Sequence, residues 1–223
     1  MTSSLHEIYA RLAAHYGPQH WWPAETPFEV LIGAVLTQNT SWKNVERAID
    51  NLREAGLLDA RRLYDLPSEE LEALIRPAGY FRVKARRLRN LLALLIERYD
   101  GSLQQMFATG LETLRGELLA INGIGPETAD SILLYAGHLP SFVVDTYTHR
   151  VLKRHGWIEF SADYHQIKDE FEGSLERDAA LYNEFHALFV RVGNEHCRKT
   201  PICDACPLAD LLPESGPLEP PEF

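Results

Sequence analysis

The sequence predicts an all-α protein, and three observations carry the prediction. Apolar residues recur at helical spacing in one segment after another. Pro, Gly and small polar residues stand where those segments would begin and end, and no run of alternating apolar and polar residues marks a strand. A chain of 223 residues can bury a sizeable core as one domain or two small ones. Its 45% hydrophobic and 24% charged residues are those of an ordinary globular protein, which excludes global disorder.

Residues 4–16 set Leu5, Ile8, Tyr9 and Leu12 on one helical face, and Gly17 and Pro18 end it. Trp21 and Trp22 follow, adjacent bulky aromatics among polar and proline residues, which must pack against something or wait for something. Pro27 opens an apolar helix through Leu36. A polar break at Gln38–Ser41 leads into a second helix carrying Val45, Ala48, Ile49 and Leu52, with Ser41 as its expected cap. Two or three further helices are expected between Ala60 and Tyr99, one capped by Ser68 and stopped at Pro77 and Gly79, the last with a leucine-rich and a basic face.

Leu118–Asp145 organises the rest. An apolar approach, a Gly-Ile-Gly turn at 123–125, Pro126 and an Ala/Ile/Leu face read as helix, tight turn, helix. Glycines 123 and 125 can take backbone angles closed to other residues and admit a partner closely, and Pro126 suits the first helical position. The free N–H groups of the turn would then face an anion. In a DNA-binding protein that anion is a backbone phosphate. A plain helix C-cap explains the glycines equally well. Asp145 ends the apolar run SFVVD and also reads as the N-cap of the helix through Arg154, and the two roles are compatible. Two more helical segments follow, YHQIKDEFEGSL and ALYNEFHALFVRVGNEHC.

The motifs LAINGIGPETA and VVDT resemble those of the helix-hairpin-helix DNA glycosylases related to endonuclease III, from about Pro27 to Cys206. The resemblance implies two helical subdomains flanking a DNA-binding cleft: residues 27–136, six helices with the hairpin at 118–136, and residues 1–26 with 137–212. It makes Asp145 catalytic, Gln38 the residue that fills the gap left by a flipped nucleotide, and Asn39, Gly123, Gly125 and Thr128 its companions on DNA. WWP, LTQNT and the aromatic at 42 look more specifically like the 3-methyladenine DNA glycosylase III branch. In that branch Trp22 and Trp42 would wall the base pocket, with Trp21 and Glu127 beside it; three core tryptophans are the plain alternative. Strand-cutting members use a hairpin lysine as nucleophile. Here that position is Glu127, so the expectation is a monofunctional glycosylase acting on alkylated purines in double-stranded DNA. Open alternatives are an endonuclease III-like lyase on oxidised pyrimidines, a mismatch adenine glycosylase and a non-catalytic hairpin module.

Cys197, Cys203 and Cys206 lie together, and metal ligation is the first reading of such a cluster. Relatives with an iron–sulfur cluster use four cysteines here, but Leu212 stands where the fourth belongs. A [4Fe–4S] centre, a degenerate iron–sulfur site, or zinc with His196 or Asp210 as a substitute ligand are the candidates. Any such group would be structural and is not needed for the chemistry. The net charge of −10 argues against nucleic acid only if evenly spread. Basic residues gather at 82–89, 150–154 and 191–199, although such runs are often solvated faces. No apolar run approaches a membrane span and the N-terminus lacks signal-peptide character, so a cytoplasmic, nucleoid-associated monomer is expected. Proline-rich, acidic residues 213–223 are expected to be a disordered tail.

Overall fold

Side-chain caps and prolines set where the helices begin. In the computed structural model, which describes residues 4–219, Ser4, Thr26, Asp59, Ser102, Asp145, Asp163 and Asp178 each accept a backbone N–H from the first turn of the following helix. Twelve α-helices result and no strand appears among the described residues. They are α1 (Leu5–Tyr16), α2 (Pro27–Leu36), α3 (Trp42–Glu54), α4 (Ala60–Asp65), α5 (Ser68–Leu74), α6 (Phe81–Tyr99), α7 (Leu103–Ala108), α8 (Leu111–Ala120), α9 (Pro126–Ser131), α10 (Thr146–Arg154), α11 (Tyr164–Ser174) and α12 (Ala179–Glu195). A π-helical turn, Ile132–Ala136, continues α9.

The chain divides into two compact units, Trp22–Leu139 and Met1–Trp21 with Pro140–Phe223. The first holds α2–α9, more helices than the six expected, because Pro67 separates α4 from α5 and Gly110, at φ 91°, separates α7 from α8. Its core is α2, buried all round through Phe28–Leu36, with Leu88, Leu91, Leu92 and Leu95 of α6 and Leu114 and Leu118 of α8. A helix this apolar on every face belongs at the centre. Asp130 on α9 is fully buried and receives Nε and Nη2 of Arg115 on α8 at 2.8 and 3.1 Å, so one ion pair ties both arms of the hairpin.

In the second unit Phe142 stacks on Phe171 at 4.0 Å and Phe185 on Phe189 at 5.0 Å, joining the strand-like approach to Asp145 with α11 and α12. Two expected caps differ. Ser41 precedes α3 but its hydroxyl makes no capping bond, and Ser68 is the first residue of α5, with Pro67 at the cap. The expected tail is ordered through Glu219: Leu218 N–H donates to Arg154 O at 2.8 Å and Glu219 pairs with the Arg154 guanidinium at 3.0 Å. A buried arginine whose backbone and side chain both need partners outweighs the local preference of proline-rich sequence for disorder. Residues 220–223 lie outside the described residues.

Candidate active site

The turn between α8 and α9 needs glycine at one position. Gly123 has φ 96°, and a Cβ there would run into the Arg87 side chain of α6. Gly125, expected to share this demand, sits at φ −95° with open space around it, in backbone any residue can adopt. The N–H groups of Gly123 and Gly125 donate to no acceptor among the described residues.

Gln38 is bound to this turn. Its Nε2 donates to Gly123 O at 3.1 Å and to Thr128 Oγ1 at 2.8 Å, and its Oε1 accepts from Arg87 Nη1 at 2.5 Å. Thr128 is therefore buried and holds Gln38 instead of facing outward. Asn39, the next residue, is exposed in left-handed backbone at φ 54°. Below them the buried Lys84 donates to Leu36 O and Ala78 O, both at 2.8 Å, strapping the end of α2 to the turn before α6. Burial, with Arg87 adding repulsion, pushes its ammonium down to about 8. That second turn presents Tyr80, 72% exposed and in left-handed backbone at φ 45°. No sequence signal marks Tyr80, because an aromatic between Gly79 and Phe81 reads as core. A bulky residue held out in strained backbone points to function.

Trp22 and Trp42 meet edge to face at 5.1 Å, and Trp22 also lies 5.0 Å from Tyr135 in the π-turn. They pack on each other, so they leave no slot between them for a base. Trp42 donates to Glu46 at 2.8 Å and, with Pro23, Glu25 and Glu46, lines a cavity of about 620 Å³. Trp21 is half-buried in the other unit, and Glu127 is exposed in the first turn of α9.

Asp145 caps α10: Oδ1 accepts the Thr148 N–H at 2.8 Å and its hydroxyl at 3.0 Å. Oδ2 lies 3.6 Å from Nε2 of His186, a buried residue of α12. Burial alone would raise the carboxyl pKa, but His186 and the two Thr148 bonds outweigh it and hold Asp145 below the ordinary carboxylate range. The side chain keeps 13% of its surface exposed, so it is reachable. His186 was missed in the sequence, although a histidine inside the apolar run FHALFV was the available signal. Gly193 of α12 has no Cβ because the Tyr147 ring lies there: an added Cβ would meet Tyr147 Cδ1 at 2.5 Å. The arrangement offers a fixed, ionised carboxylate with one oxygen oriented by a helix start and the other beside an imidazole.

Residues 32–177 match the model of the HhH-GPD superfamily of base excision DNA repair proteins. The chain belongs to this superfamily. It is 50% identical over 209 residues to a candidate DNA repair glycosylase of Methanocaldococcus jannaschii, covering 93% of this chain and 94% of that one. Among solved structures it resembles an endonuclease III in non-covalent complex with DNA, with a TM-score of 0.81, 27% identity and 94% of each chain covered. It also resembles the Helicobacter pylori 3-methyladenine DNA glycosylase bound to 1,N6-ethenoadenine, with a TM-score of 0.76, 28% identity, and 86% of this chain and 98% of that one covered. An HhH-GPD chain of this kind is a DNA glycosylase. No helix among the described residues is long and apolar enough to cross a membrane.

The cysteine loop does not fit the cluster that the resemblance implied. Cys197, Cys203 and Cys206 line one small void, but Leu212 lines it too, and Asp210 is bound instead to Arg11 at 2.6 Å. Among the described residues no group of three or more His, Cys, Asp or Glu is arranged to hold a metal ion.

Proposed function

We propose that this HhH-GPD glycosylase is monofunctional and hydrolyses the N-glycosidic bond of an alkylated purine in duplex DNA, leaving an abasic site. The observation that carries this reading is the placement of its cations relative to the hairpin. The first turn of α9 carries the exposed carboxylate of Glu127, and the buried Lys84 spends its ammonium on two carbonyls. Neither supplies the free amine a Schiff-base lyase needs, and the remaining remote substitute, Lys153, stands in the last turn of α10 and not in the hairpin.

The hairpin N–H groups hold a phosphate, which positions the duplex without reading it. Extruding a damaged base costs a few kcal/mol, least where pairing is already weak. Asn39 is better placed than Gln38 to enter the gap, because Gln38 would first have to release three hydrogen bonds. Tyr80 offers a ring on which a neighbouring base stacks. A purine methylated at N3 or N7 is cationic, is drawn to an aromatic face such as that of Trp42, and leaves without needing a strong acid.

As the sugar–base bond breaks, positive charge grows on the deoxyribose and Asp145 stabilises it. A carboxylate held below its ordinary pKa is a weak base and a good electrostatic partner, so its main work is charge stabilisation and orientation of the attacking water. Water adds its oxygen to the sugar carbon, and the departing base takes the bond's electron pair.

The test is incubation with methylated duplex DNA, identification of the released base, and a check for strand cleavage before alkali. Release of 3- or 7-methylpurine with an intact strand supports the reading. Release of oxidised pyrimidines alone, or a borohydride-trapped protein–DNA adduct, overturns it.

A further inference from the structure

We infer that the Cys197–Cys206 loop is a four-cornered thiol site with one corner closed by Leu212, and that Arg150 and Arg154 hold the loop in place of a metal centre. Structural zinc and [4Fe–4S] sites both need four donors. Here Cys197, Cys203 and Cys206 share a void of about 10 Å³ with Leu212, and Arg154, His155 and His196 also line it. That volume admits about one water molecule. His196 reaches the same void, but its Nδ1 lies 3.2 Å from Ile202 O within the loop.

What a metal would do by cross-linking is done by guanidinium groups. Arg154, 6% exposed, donates from Nη1 to Arg198 O at 2.5 Å and to Cys197 Sγ at 3.6 Å, and from Nη2 to Lys199 O at 2.9 Å. Arg150, one turn earlier on α10, donates to Cys197 O at 2.5 Å and Gly193 O at 3.2 Å. Between them they satisfy one carbonyl in the last turn of α12, Gly193 O, and the three that follow the helix end, Cys197 O, Arg198 O and Lys199 O. Arg154 also collects the chain beyond the cysteines through its own carbonyl, bound by Leu218 N–H, and through Glu219. Two forked donors on one helix thus fix the loop at three backbone points and one sulfur, and tie it to α12 at Gly193 O.

This inference stands whatever base the enzyme releases. The experiment is elemental analysis of anaerobically purified protein for iron, acid-labile sulfide and zinc, alongside melting curves. Native protein should carry no stoichiometric metal and no visible charge-transfer absorption. The triple variant Cys197→Ser, Cys203→Ser, Cys206→Ser should melt with the native protein, whereas Arg154→Met should melt well below it. Should Arg154→Met fail to fold, Arg154→Lys, which keeps the charge and loses the fork, is read instead. Leu212→Cys, reconstituted with iron and sulfide, should gain both metal and colour. Stoichiometric metal in the native protein, a triple variant as unstable as the arginine variant, or Leu212→Cys remaining colourless would each overturn the inference.

Discussion

Replacing Asp145 by asparagine separates its two roles. Asn keeps an oxygen where Oδ1 accepts the Thr148 N–H and hydroxyl, and Asn and Asp cap helices about equally well. The lost attraction to His186 is set against the relief of burying a neutral group. Stability should therefore change by no more than about 1 kcal/mol, a Tm shift of about 2–4 °C for a chain of this size. Asp145→Ala loses the cap as well and should fall by a further ~1 kcal/mol. Catalysis responds differently, because the full negative charge goes. Removing one preorganised electrostatic partner costs about 10²–10³-fold, and removing a general base about 10²–10⁴-fold. A loss of at least about 10³-fold in single-turnover base release is expected for Asp145→Asn, equivalent to about 4 kcal/mol of barrier. Affinity for the damaged duplex, read by fluorescence anisotropy, should hold. Base release within about tenfold of native, or equal destabilisation by Asn and Ala, would refute the reasoning.

Thr148→Val removes the hydroxyl bond to Asp145, and His186→Gln the imidazole beside it. Each should lift the carboxyl toward its ordinary pKa and move the acid limb of the pH–rate profile upward, and an unmoved limb would sink that account. The sign for stability agrees: a depressed carboxyl stabilises above its unfolded pKa and loses that contribution as pH falls through the folded value. Lys84 gives the same direction at higher pH by a different route, since a lysine pushed down to about 8 binds fewer protons folded than unfolded and its burial penalty is relieved as it loses its proton. Native stability against urea should gain between pH 8 and 10 relative to Lys84→Met, and parallel curves would count against it. Gly123→Ala, strained in left-handed backbone and crowded by Arg87, should destabilise by about 1–3 kcal/mol in urea melts. Gly125→Ala should leave stability nearly unchanged while weakening DNA binding.

What could be read from the sequence was local. The end of α1 at Tyr16, the starts of α2 at Pro27 and α9 at Pro126, and the cap at Asp145 follow from residues next to one another in the chain. Gln38 was legible as a polar break, but its bonds to Gly123, Thr128 and Arg87 span 49 to 90 residues and leave no trace in local pattern. Tryptophans 22 and 42 could be singled out as unusual, yet their edge-to-face contact depends on α2 and α3 packing together. The ordered segment after Pro213 was misread for the same reason: its composition favours disorder, while its partner is Arg154 on α10.

The basic runs show what long-range partners do to an electrostatic argument. Lys84 is buried, Arg87 serves Gln38, Arg89 serves the carbonyls of Tyr64 and Leu66, and Arg150 and Arg154 serve the cysteine loop. Of the residues gathered at 82–89 and 191–199, Arg82, Arg86, Arg191, Arg198 and Lys199 stay exposed, with Arg82 paired with Glu72 and Arg191 with Glu195. With most of their cations bound internally, these runs by themselves cannot grip DNA by neutralising many phosphates. In the proposed binding mode backbone N–H groups at the hairpin supply much of the hold, and they displace fewer counterions than ammonium or guanidinium groups. Each neutralised phosphate steepens the log–log dependence of affinity on salt by about 0.9, so about four cations give a slope of about −3 to −4. Anisotropy titrations across a salt series measure it directly. A slope near −8 would mean that cations beyond these runs, such as the exposed Lys43, Arg47 and Arg76, carry the contact with DNA, and would refute a hold supplied mainly by the hairpin.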